Sequence, residues 1–136
     1  MSAIGELAEK EKVRLLLETE GSTNMATSEE AADLMRMVQS PAIGTNYDPQ
    51  NSVGLETSPF PEGLSKLPIA RIGNVHVKAE GLFGPKHPLD WPAITRTLID
   101  GGYQGCFSLE THRGHSEQNV EWSKKCMEKM RSIVPA

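Results

Sequence analysis

The sequence predicts an α/β protein made of four βα units that form a half (β/α)8 barrel with parallel strands. Short apolar segments that end in a polar or charged residue alternate with segments of helical periodicity. The four units are about 34 residues each, which is the repeat length of an α/β barrel. A complete eight-stranded barrel needs ~250 residues, whereas this chain has 136. We therefore expect one domain, over residues 1–136, that contains half of such a barrel.

Four segments are predicted as strands. Strands of a parallel sheet are buried on both faces, so they read as short apolar runs bounded by turn residues. The third and longest segment alternates apolar Ile72, Val75 and Val77 with polar or glycine positions. The predicted strands are residues 13–18, 42–48, 71–80 and 103–110.

Two helices are predicted in the first third of the chain. Residues 2–10 have the pattern of the last turns of a helix. Thr27 with Glu30 three residues later forms a capping box, which marks the start of the second helix. Pro41 ends this helix because it cannot continue the helical backbone.

Two further helices are predicted after the third strand. Asp90 is a favourable N-cap for the first of them, which ends at Gly101. The last helix covers residues 117–133 and is amphipathic. Its predicted apolar stripe consists of Val120, Cys126, Met127, Met130 and Ile133.

The remaining segments are predicted as loops. Residues 49–62 and 81–88 are rich in Pro, Gly, Asn and Ser, so we expect no regular structure there. Residues 63–68 form at most a short helix. Cys106 lies in a predicted strand and Cys126 in a predicted helix, and we expect both to be buried, reduced thiols.

Composition excludes several classes of partner. The formal charge is −4 and the 14 Lys and Arg residues are scattered, which argues against a nucleic-acid surface because phosphate binding needs clustered basic residues. No apolar run approaches the ~18 residues of a membrane span, and residues 1–11 lack the pattern of a signal peptide. We expect a soluble cytoplasmic protein that binds neither nucleic acid nor membrane.

Each predicted strand ends near a potential metal ligand, namely Glu18, Asp48, His76 and Glu110. The C-terminal ends of parallel strands meet at one edge of the sheet, where active sites of α/β proteins lie. Three carboxylates and an imidazole form a hard site that suits Mn, Mg or Co, with Zn possible. The carboxylates would repel one another without a cation between them. Taken singly, each residue is more often a solvated or salt-bridged group.

Several motifs in this order resemble the xylose isomerase-like barrels. That family includes sugar and sugar-phosphate isomerases and epimerases and, more distantly, the apurinic endonucleases. The resemblance covers essentially the whole chain, but only the second half of the family's barrel. The motifs are Leu17-Glu18, Asp48 with Asn51, Val75-His76-Val77-Lys78, Leu89-Asp90-Trp91, and Gly102-Tyr103-Gln104-Gly105 continuing to Ser108-Leu109-Glu110.

The resemblance implies that the four strand-end residues bind one divalent metal. It also implies that Glu18 and Glu110 transfer a proton on opposite faces of a small polyhydroxy substrate, through an enediolate. A metal that chelates a carbonyl and a neighbouring hydroxyl acidifies the adjacent C–H bond. Lys78 and Asn51 are expected to contact the same substrate. The alternative for Lys78 is a salt bridge to Glu80 or Asp48.

The sequence departs from the family's pattern at several positions. Some epimerases have a histidine where this chain has Asn51, and Thr19-Glu20 replaces a common Asn-His. His112 and His115 lie in a polar loop and are expected to be solvated. An endonuclease with several zinc ions would need more than the four histidines present.

Four parallel strands leave the two outer strands, residues 13–18 and 104–110, with an unpaired edge each. A barrel removes such edges only by closing. We expect completion either by a homodimer or by a separate N-terminal half-barrel, and the alternative is that the chain is a truncated gene product. The alternative to an isomerase is therefore a catalytically incomplete half-barrel without activity of its own.

Overall fold

The structure is a computed structural model that describes residues 3–83, 89–111 and 118–134. Four strands form one parallel sheet whose spatial order, β1-β2-β3-β4, follows the sequence. Helices connect successive strands, which confirms the predicted half (β/α)8 barrel. The strands are β1 (Leu15–Glu18), β2 (Ile43–Tyr47), β3 (Ile72–Lys78) and β4 (Cys106–Glu110).

Six α-helices lie within the described residues, together with an irregular turn at Pro59–Gly63, in which the backbone of Phe60 is extended, and a 3-10 turn at Ile69–Arg71. The helices are α1 (Ala3–Lys10), α2 (Ser28–Met37), α3 (Leu64–Lys66), α4 (Ala79–Phe83), α5 (Trp91–Asp100) and α6 (Gln118–Ile133). Among these helices, none is both long enough and apolar enough to cross a membrane.

Local capping explains where α2 and α5 begin. The backbone N–H of Glu30 donates to Thr27 Oγ1 at 3.3 Å, and the backbone N–H of Thr27 donates to Glu30 Oε2 at 2.9 Å. This reciprocal pair is the predicted capping box. Asp90 accepts the backbone N–H of Ala93 at 3.0 Å, as expected for an N-cap.

A register shift in the middle of the sheet sets which face each β3 side chain occupies. Thr45 pairs with Ile72 and Asn46 pairs with Asn74, so Gly73 has no partner on β2. A Cβ atom at Gly73 would clash with the Leu16 side chain, so the position favours glycine. Such a bulge redirects the strand. It allows Ile72 to join the core on the helix side while Asn74 lies on the opposite face.

The core lies between the sheet and its helices. Val75 and Val77 of β3 are fully buried, and Trp91, Ile94 and Leu98 from α5 pack in the same cluster. The residues with even numbers from Asn74 to Lys78 alternate to the other face of β3, because successive side chains of a strand point to opposite faces. The core therefore fixes the direction in which His76 and Lys78 project.

Two predicted boundaries were wrong near the third strand. We predicted a strand over residues 71–80 and a loop over 81–88, but β3 ends at Lys78 and α4 covers Ala79–Phe83. Ala79 is buried, so this short helix is held by tertiary packing despite Gly81. The irregular turn at Pro59–Gly63 lies at the end of the loop that was predicted over residues 49–62.

Three expected burials were also wrong, and all three lie on the β4 side of the sheet. Cys106 is exposed, whereas Cys126 is buried as predicted, and neither is in a disulfide. Val120 and Met127 of the predicted α6 stripe are 59% and 39% exposed. The physical reason is that β4 is the last strand, so no further described element covers this side.

Candidate metal centre

The ends of all four strands converge on one cluster of ligand atoms. Glu18 and Glu110 are the last residues of β1 and β4, Asp48 directly follows β2, and His76 lies two residues before the end of β3. One ligand atom from each of the four residues lies within 4.8 Å of the others. The structure therefore brings together the four residues that the sequence singled out.

His76 lies at the centre of this cluster. Its Nδ1 atom is 3.1 Å from Glu18 Oε1 and 3.3 Å from Glu110 Oε2. It is 4.0 Å from Asp48 Oδ2. Nδ1 is therefore the imidazole nitrogen that faces the three carboxylates.

Asp48 is held rigidly by its own loop. Its Oδ1 atom accepts the backbone N–H groups of Gln50 at 2.9 Å and Asn51 at 3.1 Å. Thr19, which is fully buried, exchanges two hydrogen bonds with the Asp48 backbone. These contacts turn Oδ2 towards the other ligands, where it is buried and accepts no hydrogen bond from any described residue.

Lys78 and Asn51 form the polar wall beside these carboxylates. Lys78 Nζ donates to Asn51 Oδ1 at 2.6 Å and lies 3.4 Å from both Asp48 Oδ2 and Glu110 Oε2. The amide of Asn51 donates to Glu18 Oε1 at 3.2 Å and to Glu20 Oε2 at 3.1 Å. The Asp48 salt bridge expected for Lys78 is present, while the Glu80 side chain lies outside the described part of the chain.

Electrostatics in the cluster follow from burial and from the nearby charges. Burial raises the pKa of Asp48 above its usual range, and the lowering by Lys78 does not fully offset it. Burial by itself would lower the pKa of Lys78, but the charges of Asp48 and Glu110 outweigh it and raise the pKa. The ammonium group therefore stays charged beside the acidic residues.

The donor set fits a divalent cation. Three carboxylates and one imidazole nitrogen are ligands for Mg, Mn, Co or Zn. Burying a carboxylate oxygen without a hydrogen bond, such as Asp48 Oδ2, is costly. The Lys78 ammonium, 3.4 Å away, compensates part of this cost, and a divalent cation among the three carboxylates would compensate more of it. Glu18, Asp48, His76 and Glu110 would hold the ion, and Lys78 would lie at its edge.

Sequence reasoning missed five residues that support the cluster. Thr19 and Glu20 follow β1, and their polar character alone did not indicate that they contact the cluster. Asn46, Asn74 and Ser108 lie two residues before Asp48, His76 and Glu110, respectively. This spacing places them on the same face of each strand, and the alternation would have identified them. His112 and His115 lie outside the described residues.

Comparison with known proteins identifies the family. The family model described as xylose isomerase-like TIM barrel matches residues 1–132. The chain belongs to this family. A search of the curated proteins found no match. The resemblance proposed from the strand-end motifs is thus confirmed.

Solved structures support the same fold. D-psicose 3-epimerase from Clostridium cellulolyticum H10, in complex with D-tagatose, is similar with a TM-score of 0.80 at 17% identity. The alignment covers 98% of this chain and 53% of that one. The xylose isomerase-like chain thus spans about half the length of this epimerase.

Two other similar structures contain a metal. The IOLI protein with a bound zinc atom has a TM-score of 0.73 at 17% identity, over 98% of this chain and 54% of that one. A xylose isomerase-like TIM barrel protein from Mycobacterium smegmatis in complex with magnesium has a TM-score of 0.71 at 23% identity. That alignment covers 97% of this chain and 48% of that one.

Proposed function

We propose that residues 1–136 are the last four βα units of a metal-dependent sugar or sugar-phosphate isomerase or epimerase. The observation that carries the proposal is the convergence of Glu18, Asp48, His76 and Glu110 within 4.8 Å. Similar structures of sugar epimerases add support for a small polyhydroxy substrate. A cytoplasmic location stays a prediction from the sequence.

The four residues are proposed as ligands of one divalent metal, with Mn, Mg or Co preferred over Zn. Carboxylate-rich sites suit hard cations, whereas a single imidazole also permits zinc. When bound, the metal would polarise a substrate carbonyl and acidify the neighbouring C–H bond.

Glu18 and Glu110 are proposed to transfer the proton. One oxygen of Glu18 lies 3.1 Å from His76 Nδ1, and one oxygen of Glu110 lies 3.3 Å from the same atom. One carboxylate would take a proton from the substrate carbon, and the other would return a proton from the opposite face of the enediolate. General acid–base catalysis of this kind contributes about 10²- to 10⁴-fold to the rate.

Lys78 and Asn51 are proposed as substrate contacts. The Lys78 ammonium is held between Asp48, Glu110 and the Asn51 amide, so it is oriented before a ligand arrives. A positive charge there would stabilise the oxygen that becomes negative as the proton leaves carbon. Asn51 would orient the lysine as well as a substrate hydroxyl.

Metal binding and proton transfer can be tested separately on the purified chain. We expect isothermal titration calorimetry with Mn²⁺ to show about one ion per chain. Asp48→Ala should abolish binding, while Glu110→Gln should weaken it and remove proton exchange between solvent and a ketose. The exposed Glu128→Gln, on α6, is the matched control. Failure of the wild-type chain to bind Mn²⁺, Mg²⁺, Co²⁺ or Zn²⁺ would contradict the proposal.

A second candidate function, assembly without catalysis by this half alone, is favoured by the two open sides of the sheet. β1 and β4 each pair with only one described strand. A groove of about 690 Å³ beside β1 is lined by apolar side chains that include Leu17, Leu34 and Met37, and by acidic residues. Unpaired strand edges and exposed apolar side chains mark a surface that another element covers.

The flanking helices favour a different half-barrel over a second copy of this chain. In these folds, a connecting helix covers the groove between two neighbouring strands. α1 precedes β1 and α6 follows β4, so each would cover one open side. Pairing β4 with β1 of a second copy would place α6 and the second α1 in the same groove. We therefore propose four further strands with three connecting helices as the partner.

Light scattering after size-exclusion chromatography tests this choice. We expect a folded monomer that binds metal but turns over sugar slowly. The loops of the other half-barrel, which would help to enclose the substrate, are not in residues 1–136. A stable dimer with high activity would contradict the proposed partner and support the homodimer.

A further inference from the structure

A chain of polar side chains lies directly beneath the metal ligands. Asn46, Asn74 and Ser108 each precede a candidate ligand by two residues and share its face of the sheet. The interior layers of α/β barrels are dominated by branched apolar residues. Three polar residues in this layer therefore need an explanation.

The three side chains are joined in series. Ser108 Oγ donates to Asn74 Oδ1 at 2.6 Å, and Asn74 Nδ2 donates to Asn46 Oδ1 at 2.8 Å. The series crosses β4, β3 and β2, and its middle member, Asn74, accepts one hydrogen bond and donates the next. We call it the amide relay. Because Asn46 is 7% exposed, its polar atoms depend on these bonds for compensation.

The relay ends against the His76 imidazole. Asn46 Nδ2 lies 2.9 Å from Nδ1 and 3.3 Å from Nε2 of that ring. The lone pairs of the two ring nitrogens point away from each other. An atom almost equally close to both therefore lies against the ring rather than along either lone pair. Such N–H contacts with an aromatic ring are weak but directional.

In this geometry, the contact that fixes the plane of the His76 ring does not occupy the nitrogen that would bind a metal. The amide fixes the plane of the ring, while Nδ1 remains directed towards Glu18 and Glu110. A direct hydrogen bond to Nδ1 would instead compete with a metal for the same lone pair.

We propose that Asn46, Asn74 and Ser108 are positioning residues that hold the His76 ring so that Nδ1 faces the metal. The inference rests on the proposed metal centre. Ordering the ring before the metal arrives removes an entropic cost of binding. Groups that hydrogen-bond the second ring nitrogen of a metal-bound histidine typically change metal affinity about 10- to 100-fold, and we expect a contact with the ring face to lie at or below the lower end of this range.

The first experiment needs no metal. NMR of the metal-free chain should show a nuclear Overhauser effect between the Asn46 side-chain amide and the His76 ring. Ser108→Ala should weaken it, whereas Ser108→Thr, which keeps the hydroxyl, should retain it. Cys106→Ala is the matched control, because it changes a small side chain on the same face of β4. If this nuclear Overhauser effect had the same intensity in Ser108→Ala and in Cys106→Ala, the proposal would be overturned.

The second experiment measures Mn²⁺ affinity by titration calorimetry. Ser108→Ala and Asn74→Leu should weaken binding by several-fold, up to about 10-fold, while Ser108→Thr and Cys106→Ala should stay close to wild type. Equal Mn²⁺ affinities of Ser108→Ala and Cys106→Ala would overturn the proposal. If the wild-type chain bound no metal, the proposed metal site would be wrong. The NMR experiment alone would then test whether the amide relay orients the His76 ring.

Discussion

Asp48 occupies the least favourable environment of the four candidate ligands. Its side chain is fully buried, and its Oδ2 atom faces Glu110 across the Lys78 ammonium. Burial raises the pKa of Asp48, so ionisation of this residue opposes folding. Functional sites often retain such destabilising groups.

Asp48→Asn should therefore stabilise the metal-free chain. The neutral amide can still accept the backbone N–H groups of Gln50 and Asn51 through its oxygen, but it carries no buried charge. We expect the free energy of unfolding at pH 7 to rise by about 0.5–2 kcal/mol, the usual range for stabilising substitutions. Urea denaturation of both proteins without metal measures the difference.

The pH dependence gives this prediction a control. Because the pKa of Asp48 is raised in the folded state, protonation favours folding, and this contribution is lost as the pH rises through the folded-state pKa. The advantage of Asp48→Asn should therefore shrink as the pH falls below that value. An advantage that stays constant down to acidic pH would contradict the assigned cause.

At the scale of elements, the α2 capping box is the feature that depends most directly on local sequence. Thr27 and Glu30 satisfy backbone N–H groups that the first helical turn leaves unbonded. Ala31 and Met35 of the same helix are buried against the rest of the fold. The cap therefore supports the core without contacting the metal ligands.

Thr27→Ala should destabilise the chain by about 1 kcal/mol, because an N-cap hydrogen bond is lost. Mn²⁺ affinity should not change, since Thr27 lies outside the cluster. Thermal unfolding measures the loss of stability, and titration calorimetry measures the Mn²⁺ affinity. Thr57→Ala, at an exposed loop position, is the control, and an equal effect of both substitutions would argue against the cap.

The whole molecule is open on two sides. Met37 is 81% exposed beside the β1 groove, and Val120 is 59% exposed on the β4 side. In a closed barrel both sides would be covered, so they are proposed contact surfaces for the other half. In the isolated chain, which we expect to be a monomer at low concentration, they should promote weak self-association as the protein concentration rises.

Met37→Lys and Val120→Lys should reduce this association while changing the free energy of unfolding by less than about 0.5 kcal/mol, as is usual for surface positions. Light scattering over a range of protein concentrations measures the effect. Leu55→Lys is the control, because Leu55 is 52% exposed in the loop after β2. If Leu55→Lys suppressed association equally, the two open sides would have no special role.

The fold could be predicted because its signals are local. Four apolar runs, the Thr27 and Asp90 caps and the repeat length each reflect short-range backbone chemistry, and the elements follow one another in the simplest parallel order. The boundaries of β3 and α4 could not be predicted, because the burial of Ala79 outweighs the helix-breaking tendency of Gly81. Local propensity is a weak guide wherever tertiary packing is decisive.

The sequence by itself determined the types of ligand and their places at the strand ends, because parallel strands in sequential order bring those ends to one edge of the sheet. Only the tertiary structure decided that Nδ1 of His76 faces the carboxylates, that Lys78 lies between Asp48 and Glu110, and that the amide relay reaches the ring. These facts depend on contacts of 2.9 to 3.4 Å between residues that are 30 or 34 positions apart in the sequence. Periodicity fixes a side chain's face, but only packing against the neighbouring strands fixes its direction.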